Sequence, residues 1–148
     1  MLFRSVDVDA DCSAVAAQAI TDARVQFEVA DAGGFLKTCQ PNCFDFIFAD
    51  AWPGKFSHLD AALNALAPNG LYVIDDLLPQ DNWPKNHQPR VDALLAALEA
   101  MDGVALSYLD WASGVAIVTK LDEQPIAPEI RQHAEYAFLF SETMPSDI

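Results

Sequence analysis

Five short apolar runs along this chain close on an aspartate. RSVDVD ends on Asp7 and Asp9, QFEVAD on Asp31, FDFIFAD on Asp50, LYVIDD on Asp75 and Asp76, and LSYLD on Asp110. The runs are β-branched or aromatic and mostly continuous in apolar character, as in parallel strands covered on both faces. Strands are expected near residues 2–8, 25–29, 44–49 and 71–74. Parallel neighbours need a crossover connection, and helix-patterned segments lie between and after them at 12–21, 33–38, 57–66 and 90–101. Pro68-Asn69-Gly70 and Asp102-Gly103 read as stops after the last two helices. Two further runs, 104–109 and 115–120, are too closely spaced for a crossover and should be antiparallel neighbours. The series predicts an α/β, Rossmann-like doubly wound sheet, mostly parallel, with a C-terminal antiparallel pair. Residues 1–120 form this domain, and 121–148 a tail with one amphipathic helix candidate at 128–140.

At 148 residues the chain is one domain with room for a sizeable core, and 52% of it is hydrophobic. Its 22 acidic against 8 basic residues give a net charge of −14. That charge argues against nucleic acid, which is held through clustered Lys and Arg, and against anionic membrane surfaces. No apolar stretch approaches the ~20 residues that span a bilayer. The segment MLFRSVDVDADC carries charges where a signal peptide would be apolar, so a cytoplasmic location is expected. Cys12, Cys39 and Cys43 are expected as free thiols; Cys39 and Cys43 are four apart, but no His lies close by in sequence to complete a zinc site.

In an open parallel sheet the carboxyl ends of the strands share one edge, where ligands bind. Asp7, Asp31, Asp50, Asp75 and Asp76 should gather there. Like charges held together raise one another's pKa and oppose folding unless a cation, hydroxyls or N–H groups satisfy them. The alternative is that Asp ends strands and caps helices well. Asp7, with Asp9 as rival, is placed to accept the two hydroxyls of a ribose, whereas Asp9 and Asp11 suit N-caps. Asp31 could accept from an adenine amino group or simply make a turn with Gly33-Gly34. Asp50, Asp75 and Asp76 form an oxygen-rich set suited to a divalent cation such as magnesium; Asp75-Asp76 could instead be one strand-end carboxylate and a solvated neighbour. Trp52 and Trp83 would wall a planar acceptor or anchor loops, and His58 and His87 read as ordinary surface or helix-cap residues. Ser13, Ser57 and Ser113 sit in no nucleophile-elbow pattern.

Over residues 2–120 the chain resembles the class I S-adenosylmethionine-dependent methyltransferases, in particular the catechol and caffeoyl-CoA O-methyltransferase group. The resemblance is carried by SVDVDADCSAVA, VQFEVADAGGFL, the block FDFIFADAWPGKFSHLDAALNALAPNGLYVIDDLLPQDNW, and WASGVAIVTK. It implies S-adenosylmethionine as cofactor, with Asp7 on the ribose, Asp31 near the adenine and Asp50 at the same edge. It also implies a divalent cation on Asp50, Asp75 and Asp76, and methyl transfer to a small hydroxylated acceptor. The lysine that such proteins use as base falls at Pro53 here; Lys55, two residues further on, is the displaced candidate.

The resemblance also marks an absence. The family opens with a strand and a glycine-rich turn, roughly GxGxG, and no such motif occurs in this sequence. The fold is therefore expected truncated at its N-terminus, with two strand edges open where a central strand belongs. A partner chain, a repacked tail or a rearranged sheet would close the gap, unless the natural N-terminal segment is trimmed from this sequence; a homodimer is the expected solution. Two other functions compete with methyl transfer: a non-catalytic dimerising or partner-binding remnant of the fold, and, remotely, a haloacid dehalogenase-like phosphohydrolase using the Asp7-Val8-Asp9 pair.

Overall fold

The structure, a computed structural model, describes residues 2–121 and 128–143. The strands are β1 Phe3–Asp7, β2 Val25–Val29, β3 Phe44–Ala49, β4 Leu66–Ile74, β5 Val104–Leu109 and β6 Val115–Lys120. The helices are α1 Ala10–Ala19, α2 Ala32–Thr38, α3 Leu59–Ala65, α4 His87–Glu99 and α5 Pro128–Gln132, followed by a 3-10 turn, Ala137–Phe140. This is the predicted α/β alternation with its closing antiparallel pair.

The strands form two sheets. β1 and β2 pair in parallel; β3, β4, β6 and β5 form the second sheet in that order. β3–β4 is parallel, β4–β6 and β6–β5 antiparallel. The two sheets meet through α2, where Phe35 lies under the Arg4 guanidinium of β1 and stacks on Phe44 of β3 at 6.4 Å. Among the described residues neither β1 nor β3 has a second strand partner. The tail packs elsewhere. Arg131 pairs with Asp60 of α3 at 2.8 Å, and the Ser141 carbonyl accepts from His58 N–H at 3.2 Å. Among the described residues, then, the tail pairs with neither edge.

Three local expectations are corrected. β4 begins at Leu66, not residue 71: Pro68-Asn69-Gly70 becomes an irregularity inside the strand, with Asn69 at φ +63°. The register slips there, from Phe44↔Leu66 to Phe46↔Leu71. α4 starts at His87, with Pro89 in its first turn, where a missing N–H costs no helical bond. The single tail helix is two short elements, broken by turns from His133 to Tyr136.

The core is one-sided. Its buried cluster runs from Ala49 to Leu139 and is centred on Tyr72, Ile74, Leu59, Leu63, Leu94 and Leu98. Ile130 and Leu139 of the tail belong to it. No hydrophobic side chain before residue 49 is fully buried among the described residues. Phe46 and Phe48, on one face of β3, are 51% and 53% exposed, and Phe3, Val15 and Val29 are exposed as well. The expectation of cover on both faces therefore fails for β1 to β3, because nothing in the described chain lies over that side of the sheet.

Lys120, at the end of β6, is buried and donates from Nζ to the carbonyls of Leu63 (3.1 Å) and Leu66 (2.7 Å) and to Asn42 Oδ1 (2.8 Å). It satisfies carbonyls at the end of α3 that the helix itself cannot. Charge-assisted bonds contribute about 1.5–3 kcal/mol each, and orphaned buried carbonyls cost a similar amount. Lys120→Met should lower unfolding free energy by about 3 kcal/mol, read as a shifted urea midpoint at unchanged m-value.

Candidate functional site

The strand-end aspartates are held in different ways. Asp7 closes β1, and its Oδ1 accepts the Asp9 N–H at 2.9 Å. Asp9 is the N-cap of α1, accepting from Asp11 N–H (2.8 Å) and Cys12 N–H (3.0 Å). These bonds, Cys12 first, hold its carboxyl below the usual range. Asp31 caps α2 through Oδ2, which accepts Gly34 N–H at 2.6 Å. Asp7 and Asp31 thus stand at the carboxyl end of the two-stranded sheet. Asp50, Asp75 and Asp76 stand at the corresponding end of the four-stranded sheet.

The second group surrounds a lysine. Trp52 to Ser57 form a tight loop: Phe56 N–H donates to the Trp52 carbonyl at 2.7 Å, and Gly54 N–H to the Ser57 carbonyl at 2.7 Å. Gly54 has φ +89°, and a Cβ there would stand 2.9 Å from Tyr72 Oη. Tyr72 Oη in turn donates to the Gly54 carbonyl at 2.5 Å. This turn directs Lys55 inward, where it is 1% exposed and donates from Nζ to the Asp75 carbonyl at 2.6 Å. Burial pushes the Lys55 pKa down, against the upward pull of Asp76, Asp50 and Asp75. Burial also raises the Asp76 pKa, opposed by Lys55 and reinforced by Asp75 and Asp50. Lys55, the displaced base candidate of the sequence, is therefore a fully buried member of the acidic edge.

Asp75 is further occupied. Its Oδ1 accepts from Ser113 Oγ at 2.5 Å and from Asp76 N–H at 2.7 Å. The β5–β6 turn is docked against this segment, with Leu78 N–H donating to the Ser113 carbonyl at 2.7 Å. Gly114, at φ +82°, makes room, since a Cβ would lie 2.7 Å from Leu78 N. Among the described residues no three His, Cys, Asp or Glu side chains converge as a metal requires. Asp50, Asp75 and Asp76 do not fit a divalent cation in this arrangement. Ser113 holds Asp75 Oδ1, and Lys55 the Asp75 main-chain carbonyl.

Several contributors escaped sequence reasoning. Ser113 carried no motif. Gly33-Gly34 resembled only a turn, yet a Cβ on Gly33 would strike the His58 ring at 2.6 Å, so this glycine sets the approach of α2 to the start of α3. Trp52 and Trp83 belong to an aromatic box with Phe56 and His87. Trp52 meets Phe56 edge-on at 5.3 Å, Phe56 meets His87 at 5.2 Å, and Trp83 covers His87 at 3.5 Å. A cavity of about 280 Å³ lies apart from this edge, between Lys37, Cys39, Asp60, Val104, Lys120 and Arg131.

Comparison with proteins of known structure places the fold. An S-adenosylhomocysteine-bound methyltransferase of Podospora anserina matches at TM-score 0.66 and 19% identity, over 82% of this chain and 61% of that one. A provisionally assigned O-methyltransferase of Klebsiella pneumoniae matches at TM-score 0.70 and 19% identity, over 82% and 62%. A provisionally assigned caffeoyl-CoA O-methyltransferase of Staphylococcus aureus matches at TM-score 0.67 and 18% identity, over 81% and 65%. No family model and no curated protein matches the sequence. The chain thus has the Rossmann-like fold of class I O-methyltransferases, and it spans a little over three fifths of the length of the structures it matches. No helix among the described residues is long and apolar enough to cross a membrane.

His87 is 1% exposed, and neither ring nitrogen finds a hydrogen-bond partner. Burial lowers its pKa from 6.5 to about 4, with Lys55 and Arg90 adding to the shift. Between those values the unfolded chain binds a proton that the folded chain refuses, so this contribution is complete above pH 6.5 and is lost as pH falls toward 4. The slope is at most about 1.4 kcal/mol per pH unit. In denaturant titrations at pH 7, 6 and 5, His87→Phe should show a shallower acid loss than the wild-type chain, by close to one proton.

Proposed function

We propose that this chain is an S-adenosylmethionine-dependent methyltransferase that transfers a methyl group to the hydroxyl of a small acceptor. The observation that carries this reading is the distribution of Asp7, Asp31, Asp50 and Asp75 along the carboxyl edge of a methyltransferase fold. An S-adenosylhomocysteine-bound neighbour of that fold supports the choice of cofactor. S-adenosylmethionine supplies an electrophilic methyl group on a sulfonium centre. Asp7 spends Oδ1 on the Asp9 N–H and offers Oδ2 to ribose hydroxyls. Asp31, at the start of α2, stands beside the adenine, and Asp50 bounds the cofactor side of the acceptor. The acceptor would lie against Trp52 and Trp83; its O–CH3 bond would form as the S–CH3 bond breaks, releasing S-adenosylhomocysteine and the hydroxyl proton to solvent, with alignment and exclusion of water the main requirements.

The test is calorimetric titration with S-adenosylhomocysteine, which cannot turn over. Binding in the micromolar range, weakened at least tenfold by Asp7→Ala, is expected. Asp7 is exposed, so the variant should keep its fold. No heat and no thermal shift at saturating ligand would remove the cofactor reading.

A second reading draws on a separate observation: the bare edges of β1 and β3 and the absence of buried hydrophobics before residue 49. On this reading the chain is a domain that closes its sheet with a second copy, with or without catalysis. Exposed strand edges flanked by Phe46 and Phe48 favour such pairing. Sedimentation equilibrium between roughly 1 and 100 μM should show a concentration-dependent dimer; a monomer throughout would sink it.

A further inference from the structure

Buried polar atoms nearly always find a partner, and one that does not calls for an explanation. Both ring nitrogens of His87, in the first turn of α4, are such atoms, and the side chain is 1% exposed. Oε1 of the adjoining Gln88 is a third. The imidazole lies among aromatic rings: Phe56 meets it edge-on at 5.2 Å, Trp52 stands 6.4 Å away, and Trp83 covers it at 3.5 Å. Phe56 and Trp83 also face Lys55 Nζ, at 5.0 and 5.8 Å, which joins this box to the strand end at Asp75. Burial keeps the imidazole neutral at pH 7, with Lys55 and Arg90 adding to the effect. One of its nitrogens is therefore a hydrogen-bond acceptor and the other a donor.

We infer that His87 is the recognition point for a hydroxyl carried on a planar ring, and that the Trp83 indole occupies the place such a ring would take. Trp83 packs on the imidazole but gives neither nitrogen a hydrogen bond. A hydroxyl in that place donates to the acceptor nitrogen and removes the cost of leaving it unpaired. Little holds the indole down. Trp83 N–H bonds the Gln80 carbonyl at 3.2 Å and His87 N–H the Pro84 carbonyl at 2.9 Å. Both bonds lie inside the covering turn and survive if the indole swings outward, and Trp83 is only half-buried. A ring that replaced it would be walled by Trp52 and Phe56, themselves fixed edge-to-face at 5.3 Å. Such a site discriminates, because an analogue without the O–H leaves the imidazole unpaired again. That the ring belongs to the methyl acceptor rests on the methyltransferase reading; the site itself does not.

Phenol and toluene are the probes, alike in size and different in the hydroxyl. Titrated into the wild-type chain, phenol should shift the His87 ring resonances in nitrogen NMR and bind at least about tenfold tighter than toluene. Trp83→Ala should bind phenol at least about tenfold tighter than the wild type, because the indole no longer competes for the place. His87→Phe should lose the preference for phenol. Equal affinity for the two probes overturns the inference, as does phenol binding that leaves the His87 resonances unmoved. A Trp83→Ala chain that binds neither probe also overturns it, and would mean that a trapped water alone satisfies the imidazole. The comparison on the wild type needs no substitution, so it decides even where a variant fails to fold. Neither S-adenosylhomocysteine binding nor turnover is read, so failure of the cofactor reading and failure of this one remain distinguishable.

Discussion

The phenol of Tyr72 and the carbonyl of Gly54 form the bond on which the acceptor side of the molecule depends. Tyr72 stands in β4, between β3 and β6, with no exposed surface, so its hydroxyl is a fixed point of the core. Burial raises its pKa, keeping it a neutral donor under all ordinary conditions. Trp52-Pro53-Gly54 ends β3 abruptly, and the loop could leave in many directions. The hydrogen bond selects one, and that choice puts Lys55 beneath Asp75 rather than in solvent. Once the ammonium is there, its charge opposes the rise that burial and the neighbouring carboxylates impose on the Asp76 pKa at the end of β4. Packing under β4 and the electrostatics at its end are thus one problem with one solution.

The other half of the molecule has no such anchor. Residues 3–38 form a βαβα unit with good caps and a regular parallel ladder, yet they add no fully buried hydrophobic to the core. Hydrogen bonds and caps contribute modestly; burial of apolar surface is what holds elements together. This unit meets the core through α2, where Leu36 packs against the buried cluster and Gly33 lies against the His58 ring. Segments with few buried apolar contacts open at low free energy. The proposed cofactor carboxylates, Asp7 and Asp31, sit on this weakly anchored unit, while Asp50 and Asp75 sit on the firm one. Whatever covers Phe46 and Phe48 would also set the spacing between the two halves, so cofactor binding and closure of the sheet should be coupled.

Much of this fold was legible because its signals are local. β2, β3, β5 and β6 lie where the apolar runs are, and Asp9 and Asp31 cap the helices that follow them. What escaped is what depends on distant residues. Lysines are exposed by habit, yet Lys55 and Lys120 are buried because carbonyls 20, 57 and 54 residues away need donors. Ser113 gained its role from a hairpin docking 38 residues from Asp75. Gly33 looked like turn chemistry, and its demand comes instead from His58 on another element. Pro68-Asn69-Gly70 was read as a helix stop, whereas pairing to β3 resumes across it through a slipped register.

The repeated strand-end aspartate therefore has more than one physical origin. At Asp9 and Asp31 the carboxylate answers the first N–H groups of a helix two or three residues ahead, a local economy that any βα turn could use. At Asp75 the partners are Ser113 and Lys55, brought from either side of β4, and neither bond could form in an isolated segment. Asp76 adopts a left-handed backbone that Asp tolerates better than most residues, and burial raises its pKa. Local capping needs only the sequence that surrounds it. The Asp75–Lys55–Ser113 contact requires the whole sheet to be assembled first, and it is maintained at a desolvation cost. A buried charge network costs stability unless well satisfied, so the chemistry of this edge is to be sought at Lys55 and Asp75 rather than among the aspartates that serve as caps.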